Sequence, residues 1–273
     1  QGDRGDSAAP PPTHETQRVI VLEEDIDIAP DFFSYFGRTA TLLDSDPDLY
    51  AVSAFNDNGQ ALHVSDHTRL LRSDFFPGLG WMMNRDLWME IGERWAPNGY
   101  WDDWLRDPDI RKGRQVIRPE VCRSYHFGRD GGASKNIFKK FLDNIDLNQA
   151  NVLWSEIDLS YLDRQTYDAN YLKQVERATP VKGMAGISVA AAEAGENVEL
   201  RIEYKSQKKF TTIATMLKIM GDEKAGVPRT AYAGVVEARI KVTVFEEKKE
   251  VEKIKIYVTP PMDILRQNLS GKK

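Results

Sequence analysis

One cysteine, Cys122, stands in 273 residues, so no disulfide can close within the chain. A lone cysteine assigns no redox compartment, because secreted and cytosolic proteins both carry one. No apolar run approaches the ~20 residues that a membrane-spanning helix needs. No signal-peptide pattern is read in the first residues either. Positive charge is in short supply: 37 Lys and Arg face 42 Asp and Glu, a formal net charge of -5. That balance argues against nonspecific nucleic-acid binding, which needs a basic face, although residues 106–118 hold a local basic stretch. His14, His63, His67 and His126 share no zinc-like spacing. A Walker loop, a G-x-G-x-x-G turn and a G-x-S-x-G elbow are all missing.

What is present suits a folded α/β protein. With 41% hydrophobic residues the chain can build one large core or two modest ones. Its six tryptophans offer flat faces that suit sugars, but well-filled cores use them too. Residues 1–17 lack periodicity and read as a disordered tail, in which Arg4-Gly5-Asp6 is a chance tripeptide. Residues 18–180 read as one α/β unit, with strands expected at 19–22, 50–55 and 115–119 and helical spacing at 84–95 and 136–142. Residues 178–196 are a weakly patterned bridge. Residues 181–260 then read as a small α+β domain, with strands at 198–204, 234–244 and 254–258 around a helix at 210–220. Residues 261–273 read as a polar, frayed tail.

The chemistry concentrates in two acidic clusters and two loops. Val19-Ile-Val-Leu22 reads as a buried strand that stops abruptly in Glu23, Glu24 and Asp25. Ligands of open α/β sheets gather beyond the carboxyl ends of strands. Three carboxylates there repel one another unless a cation sits among them, and a divalent metal with a polyanionic ligand resolves the repulsion. A solvated acidic turn is the plainer reading. Pro30 and Asp31 then suit a helix N-terminus. The second cluster is Tyr100-Trp-Asp-Asp-Trp104. Indoles around Asp102 and Asp103 would desolvate them, raise their pKa and make either a general base. Asp102 equally suits the N-cap of a helix through Trp104 and Leu105. In the loop 74–81, Gly78 and Gly80 let backbone approach a ligand, beside Leu79 and Trp81, or simply form a tight turn. The small, polar stretch 127–134 has the composition of a lid, or of a loop capped by Ser134.

These motifs occur together with Asn56-Asp-Asn-Gly59, Arg118-Pro-Glu-Val-Cys-Arg123 and Gly226-Val-Pro-Arg-Thr-Ala-Tyr232. In this order they resemble the eukaryotic N-acetylglucosaminyltransferase I group, over residues 19–258. The resemblance implies a nucleotide-diphosphate-sugar transferase domain of GT-A type, followed by a small α+β C-terminal domain. It implies inverting transfer of N-acetylglucosamine from UDP-GlcNAc to the 2-hydroxyl of a mannose on a high-mannose N-glycan, at the lumenal face of the Golgi membrane. By resemblance Asp25 binds Mn²⁺, and Glu24 contacts the donor where the family usually has Asp, with Glu23 beside it. Asp102 is the catalytic base, Leu79 and Trp101 are apolar donor contacts, and Ser134 is a donor-contacting serine of a mobile loop. Family members carry an anchor, a stem and uridine-binding strands ahead of the acidic motif, where this sequence has residues 1–18. The domain is therefore expected to be incomplete at its N-terminus, with an open sheet edge. Two alternatives follow: a transferase acting on O-linked mannose, or a non-catalytic remnant that binds glycans or partner proteins.

Overall fold

The computed structural model describes residues 16–96, 99–128, 138–194, 197–244 and 249–270. The chain opens with β1 (Arg18–Val21), the short β2 (Ile26–Ile28) and helix α1 (Phe32–Ser45). Strands β3 (Leu49–Ser53), β4 (Leu70–Ser73) and β5 (Trp81–Asn84) follow, then α2 (Arg85–Ile91), α3 (Trp101–Arg106) and α4 (Pro108–Arg111). Next come β6 (Gln115–Pro119), β7 (Ser124–His126), α5 (Lys139–Leu142) and α6 (Arg164–Arg177). The C-terminal part runs through β8 (Thr179–Pro180), α7 (Gly183–Ala194), β9 (Glu199–Glu203) and α8 (Gln207–Leu217). It ends with the hairpin β10 (Glu223–Lys224) and β11 (Val227–Pro228), then β12 (Val236–Val244), β13 (Lys249–Thr259) and α9 (Met262–Leu269).

The first sheet has the order β1-β5-β3-β6-β4, with β3 and β6 parallel and the other pairs antiparallel. All five residues of β3 are buried, as its near-continuous apolar sequence requires at the centre of a covered sheet. β1 differs from the expected buried strand. It lies at the sheet edge with β5 as its partner, and Val19 is 43% exposed. An apolar run cannot by itself separate a central strand from an edge one, because position in the sheet is a tertiary property.

Helix α1 covers the sheet with Phe32, Tyr35, Phe36, Ala40 and Leu43, the i, i+3, i+4 spacing of a buried face. Pro30 lies just ahead of it, and Asp31 occupies its N-cap position without capping it. The Asp31 carboxylate instead accepts from Arg123, Asn148 Nδ2 (2.7 Å) and Trp154 Nε1 (2.8 Å).

The second sheet, β12-β13-β9-β8, carries α7 and α8 over a core that includes Ile187, Leu200, Phe210, Ile213 and Ile256. Two expectations change here. Residues 183–194 form a helix, α7, whose Ile187 and Ala191 are fully buried one turn apart. Its Gly and Ala content gives it no polar face, so its period is faint in the sequence. Residues 262–269 are likewise a helix rather than a frayed tail: α9 packs on α6 through a fully buried Leu265. Tyr232, Val235, Tyr257 and Leu265 belong to the core of the first sheet, so the C-terminal part shares that core. Buried charge stitches the junction: Arg69 pairs with Glu120 and Glu237, Lys255 with Glu237, and Arg239 with Glu120.

Candidate functional site

Just beyond β3 the chain binds two other segments at once. Ala54 N donates to Gly80 O (2.7 Å), and Arg123 N donates to Ala54 O (2.7 Å). The loop after β4 and the segment after β6 therefore meet at the carboxyl end of the parallel pair, where α/β sheets hold ligands. The candidate site is built around this junction.

The acidic turn forms its first part. β1 ends at Val21, and Glu23, Glu24 and Asp25 follow before β2. β2 pairs antiparallel with β7 in the register Ile26↔His126, Asp27↔Tyr125 and Ile28↔Ser124, and Phe127 N donates to Asp25 O (3.0 Å). This short ladder holds Asp25 against His126, with Asp25 Oδ2 at 2.9 Å from His126 Nε2. A β-carbon on Gly128 would collide with Asp25 Oδ2, so only glycine lets the backbone pass this close to the carboxylate, whose side chain stays 34% exposed. Glu24 is exposed. Glu23 is half-buried, and loss of solvent raises its pKa despite backbone hydrogen bonds at Glu23 and Gly80 that pull it down. Its Oε2 finds no hydrogen-bond partner among the described residues.

The loop ahead of β5 forms the second part. Gly78, Leu79 and Gly80 have φ of +73°, +52° and +82°, three left-handed residues in a row. Leucine in that region is uncommon and costs about 1–2 kcal/mol. The surroundings impose it: Ser53 Oγ donates to Gly78 O (2.9 Å), and Ser124 Oγ donates to Leu79 O (2.6 Å). Leu79 is half-buried. Gly80 packs beside Leu22 of the acidic turn, and Gly78 beside the Trp101 ring. The loop thus spans both acidic clusters.

Helix α3 forms the third part. Its N-cap position is Tyr100, not Asp102, which lies in the first turn, so the capping alternative does not hold. Trp101 stacks on buried Trp81 (centroids 5.7 Å apart, planes at 19°), fixing the helix to β5. Arg106, one turn on, is 94% buried by side chain and donates from Nη1 to Asp102 Oδ2 (2.7 Å) and Asp103 Oδ1 (2.8 Å). Its Nε donates to Phe76 O (2.9 Å). Asp103 also meets Lys224 of β10 at 3.0 Å. The expected rise in pKa is reversed for Asp103: burial pushes upward, but hydrogen bonds from Lys224 and Arg106 outweigh it and lower the pKa. Asp102 keeps its side chain 42% exposed, with Oδ2 held by Arg106 and Oδ1 without a hydrogen-bond partner among the described residues.

The structure thus joins Glu23, Asp25, Leu79, Trp101 and Asp102 around one loop, with Glu24 exposed beside them. Ser134 lies outside the described residues. The basic stretch 106–118 forms no free patch: Arg106, Arg111 and Arg114 pair with carboxylates, and Arg118 is buried. Two contributors were missed in the sequence. Arg106 was legible as the i+4 partner of Asp102 on one helix. His126 was not, because the β2–β7 register that places it appears only in the fold.

Among the described residues no group of three or more His, Cys, Asp or Glu could hold a metal unaided. The donor chemistry nevertheless fits a divalent cation shared with a ligand: the Asp25 side chain is one-third exposed with one oxygen held by His126, and hard cations take oxygen donors from substrate phosphates as readily as from protein.

The GNT-I family model matches residues 12–256 of the chain. The chain belongs to the GNT-I family. It is 47% identical over 230 residues to the alpha-1,3-mannosyl-glycoprotein 2-beta-N-acetylglucosaminyltransferase of Arabidopsis thaliana, a match covering 84% of this chain and 51% of that one. The chain thus spans about half the length of the curated relative it matches. The GNT-I match takes in both acidic clusters, the 74–81 loop and most of the C-terminal sheet.

Proposed function

We propose that this chain carries the catalytic centre of a GT-A-type transferase with a small C-terminal domain. It moves N-acetylglucosamine from UDP-GlcNAc to the 2-hydroxyl of a mannose on a high-mannose N-glycan, with inversion, in the Golgi lumen. The observation that carries this reading is the left-handed Gly78–Gly80 turn, which abuts the Asp25 turn on one side and the Asp102 helix on the other. A donor lying along that turn would have its diphosphate at Asp25 and its sugar at Leu79 and Trp101.

Asp102 is suited to the base. Arg106 holds one carboxylate oxygen in place, leaving the other to accept the hydroxyl proton of the attacking mannose. Attack from the face opposite the diphosphate inverts the anomeric carbon. Asp25 would hold Mn²⁺, with Glu24 and Glu23 alongside the donor. When bound, the metal supplies Lewis-acid neutralisation of the leaving diphosphate. Trp101 and Leu79 would give the donor sugar an apolar wall, and Ser134 is proposed as a further donor contact.

The test is isothermal titration of UDP-GlcNAc into the chain with and without Mn²⁺, beside Asp25→Ala and Asp102→Asn. Support would be Mn²⁺-dependent binding lost in Asp25→Ala, and binding kept but transfer to a high-mannose glycan lost in Asp102→Asn. Equal donor binding by the parent and Asp25→Ala would refute the metal role of Asp25. Transfer undiminished in Asp102→Asn would remove Asp102 as the base.

A further inference from the structure

Four cations and two carboxylates line one small cavity at the junction of the two sheets. Arg69 stands just ahead of β4, Arg118 on β6, Arg239 on β12 and Lys255 on β13; Glu120 follows β6 and Glu237 lies on β12. Ion pairs account for three of the cations. Arg69 donates to Glu120 (3.0 Å) and Glu237 (2.9 Å), Lys255 lies 3.2 Å from Glu237, and Arg239 pairs with Glu120. Arg118 has no carboxylate partner among the described residues. Its Nη groups reach only the carbonyls of Pro119 (3.4 Å) and Thr230 (3.3 Å), at the long limit of a hydrogen bond, and its Nε finds no partner there at all. Yet Arg118 is only 4% exposed.

A guanidinium stays protonated, and burying it without a counter-charge is costly. Loss of solvent lowers the pKa of Arg118 and of Lys255 against the pull of Glu237, as expected where positive charge is under-compensated. His63, also on the lining, adds no charge near neutral pH because burial lowers its pKa. Glu199 and Asp57 lie outside the lining, where Tyr257 and Arg229 hold them. The cavity has a volume of about 20 Å³. One water needs roughly 10–15 Å³, so the space takes a single small particle and is too small for a phosphate, a nucleotide or a sugar. Thr230 Oγ1 accepts from Asn58 Nδ2 (3.1 Å), which leaves its hydroxyl hydrogen to donate to that particle, as Arg118 Nε can. A water would satisfy these donors but leave the excess positive charge; a halide does both.

We propose that this cavity binds one small monovalent anion of the chloride class, held by Arg118 and Thr230. The ion balances the buried charge and ties β6 to β12 and β13, so docking of the C-terminal sheet depends on it. The inference goes beyond the proposed function and assigns the ion no part in transfer.

Thermal midpoints of the parent chain and Arg118→Met would be compared in chloride and in gluconate, which is too large for the cavity, at a constant ionic strength of about 0.15 M. The expected parent midpoint is higher in chloride by about 3 °C or more and rises further with chloride concentration. Arg118→Met should lose most of that difference and be at least as stable as the parent in gluconate, because it removes the uncompensated charge. An arginine with a merely structural role would instead lower the midpoint equally in both salts, and that result would overturn the site. Crystals of the parent soaked in bromide should show an anomalous peak in the cavity. No peak there would mean that water fills it, and the proposal would fall. A peak without any chloride dependence of the midpoint would mark an adventitious ion only and overturn it too. Should Arg118→Met fail to fold, the parent's salt comparison and the bromide map decide. Neither readout uses the sugar donor or the glycan, so failure here leaves the proposed function standing.

Discussion

Replacing Asp31 by alanine should be the most damaging single change at the base of the candidate site. The Asp31 and Arg123 side chains are both fully buried, and Arg123 donates to Asp31 Oδ2 from Nε (3.2 Å) and Nη2 (3.1 Å). The same carboxylate accepts from Asn148 and Trp154. After truncation Arg123 keeps the carbonyls of Val121 and His67, and Asn148 keeps that of Ala150, but Trp154 Nε1 loses its partner. A guanidinium is then buried without its counter-charge, which costs about 3–5 kcal/mol. That is a large share of the ~5–15 kcal/mol that holds a typical protein folded. At about 2–4 °C per kcal/mol for a chain near this size, the thermal midpoint should fall by roughly 6–20 °C. Urea unfolding followed by tryptophan fluorescence would measure the loss, with Trp154 inside the affected cluster as a local reporter. Asp31→Asn keeps the shape and one acceptor but not the charge, and should fall between parent and alanine. A midpoint shift under about 2 °C for Asp31→Ala would show that the carbonyls alone satisfy Arg123, and the reasoning from the buried ion pair would fail.

Arg106→Gln should leave donor binding near the parent value and lower transfer about 10–100-fold, because it frees the Asp102 carboxylate to rotate; unchanged turnover would show that Asp102 needs no such support. Gly128→Ala should push the Asp25 carboxylate aside and weaken Mn²⁺-dependent UDP-GlcNAc binding at least tenfold with the fold intact, as calorimetry and circular dichroism would report. His63 is nearly buried, and loss of solvent lowers its pKa below the usual value although carbonyls of Arg239 and Lys218 face its ring. As pH falls through about 6.5 the unfolded chain therefore takes up a proton that the folded chain refuses, and stability declines. His63→Gln should flatten that slope in thermal melts. Glu237 acts in a lower window. Burial opposes its charge, but Arg69 and Lys255 outweigh burial and hold its pKa well below the carboxylate range. Its contribution is present above about pH 4.5 and fades as pH drops further, so Glu237→Gln should lose stability at pH 7 and converge with the parent in acid.

The sequence disclosed the elements whose signal is local. The β3 run, the helix after Asn84 and the strands around residues 198–258 stand close to where their periodicity put them. Asn84 caps α2 through Leu87 N, a contact spanning three residues. What was hidden depends on neighbours. β4 and β5 have four residues each and become strands only by pairing with β6, β1 and β3. α6 buries just Tyr167, Tyr171 and Val175, a one-residue-wide stripe on a polar helix. At the site, Arg106 could be counted off from Asp102, but the meeting of His126 with Asp25 needed a ladder between segments a hundred residues apart. Leu79 in a left-handed turn likewise has no sequence signature, since β-branching and glycine content say nothing of a leucine forced there by Ser53 and Ser124.

The C-terminal part of the chain takes a larger share in the site than an appendage would. Lys224 reaches Asp103, but both side chains are some 40% exposed, so that pair contributes at most about 1 kcal/mol and serves mainly as a tether. Arg229 is the stronger link. It pairs with Asp57 beyond β3 and with Asp222 ahead of β10, and its guanidinium lies over Phe75 and Phe138. Asp57 is nearly buried, so its charge depends on Arg229 for compensation. Phe75 in turn supports Arg106. Position at Asp102 is therefore set from both parts of the chain: by Trp81 under Trp101 from the N-terminal part, and by Arg229 through Phe75 and Arg106 from the C-terminal part.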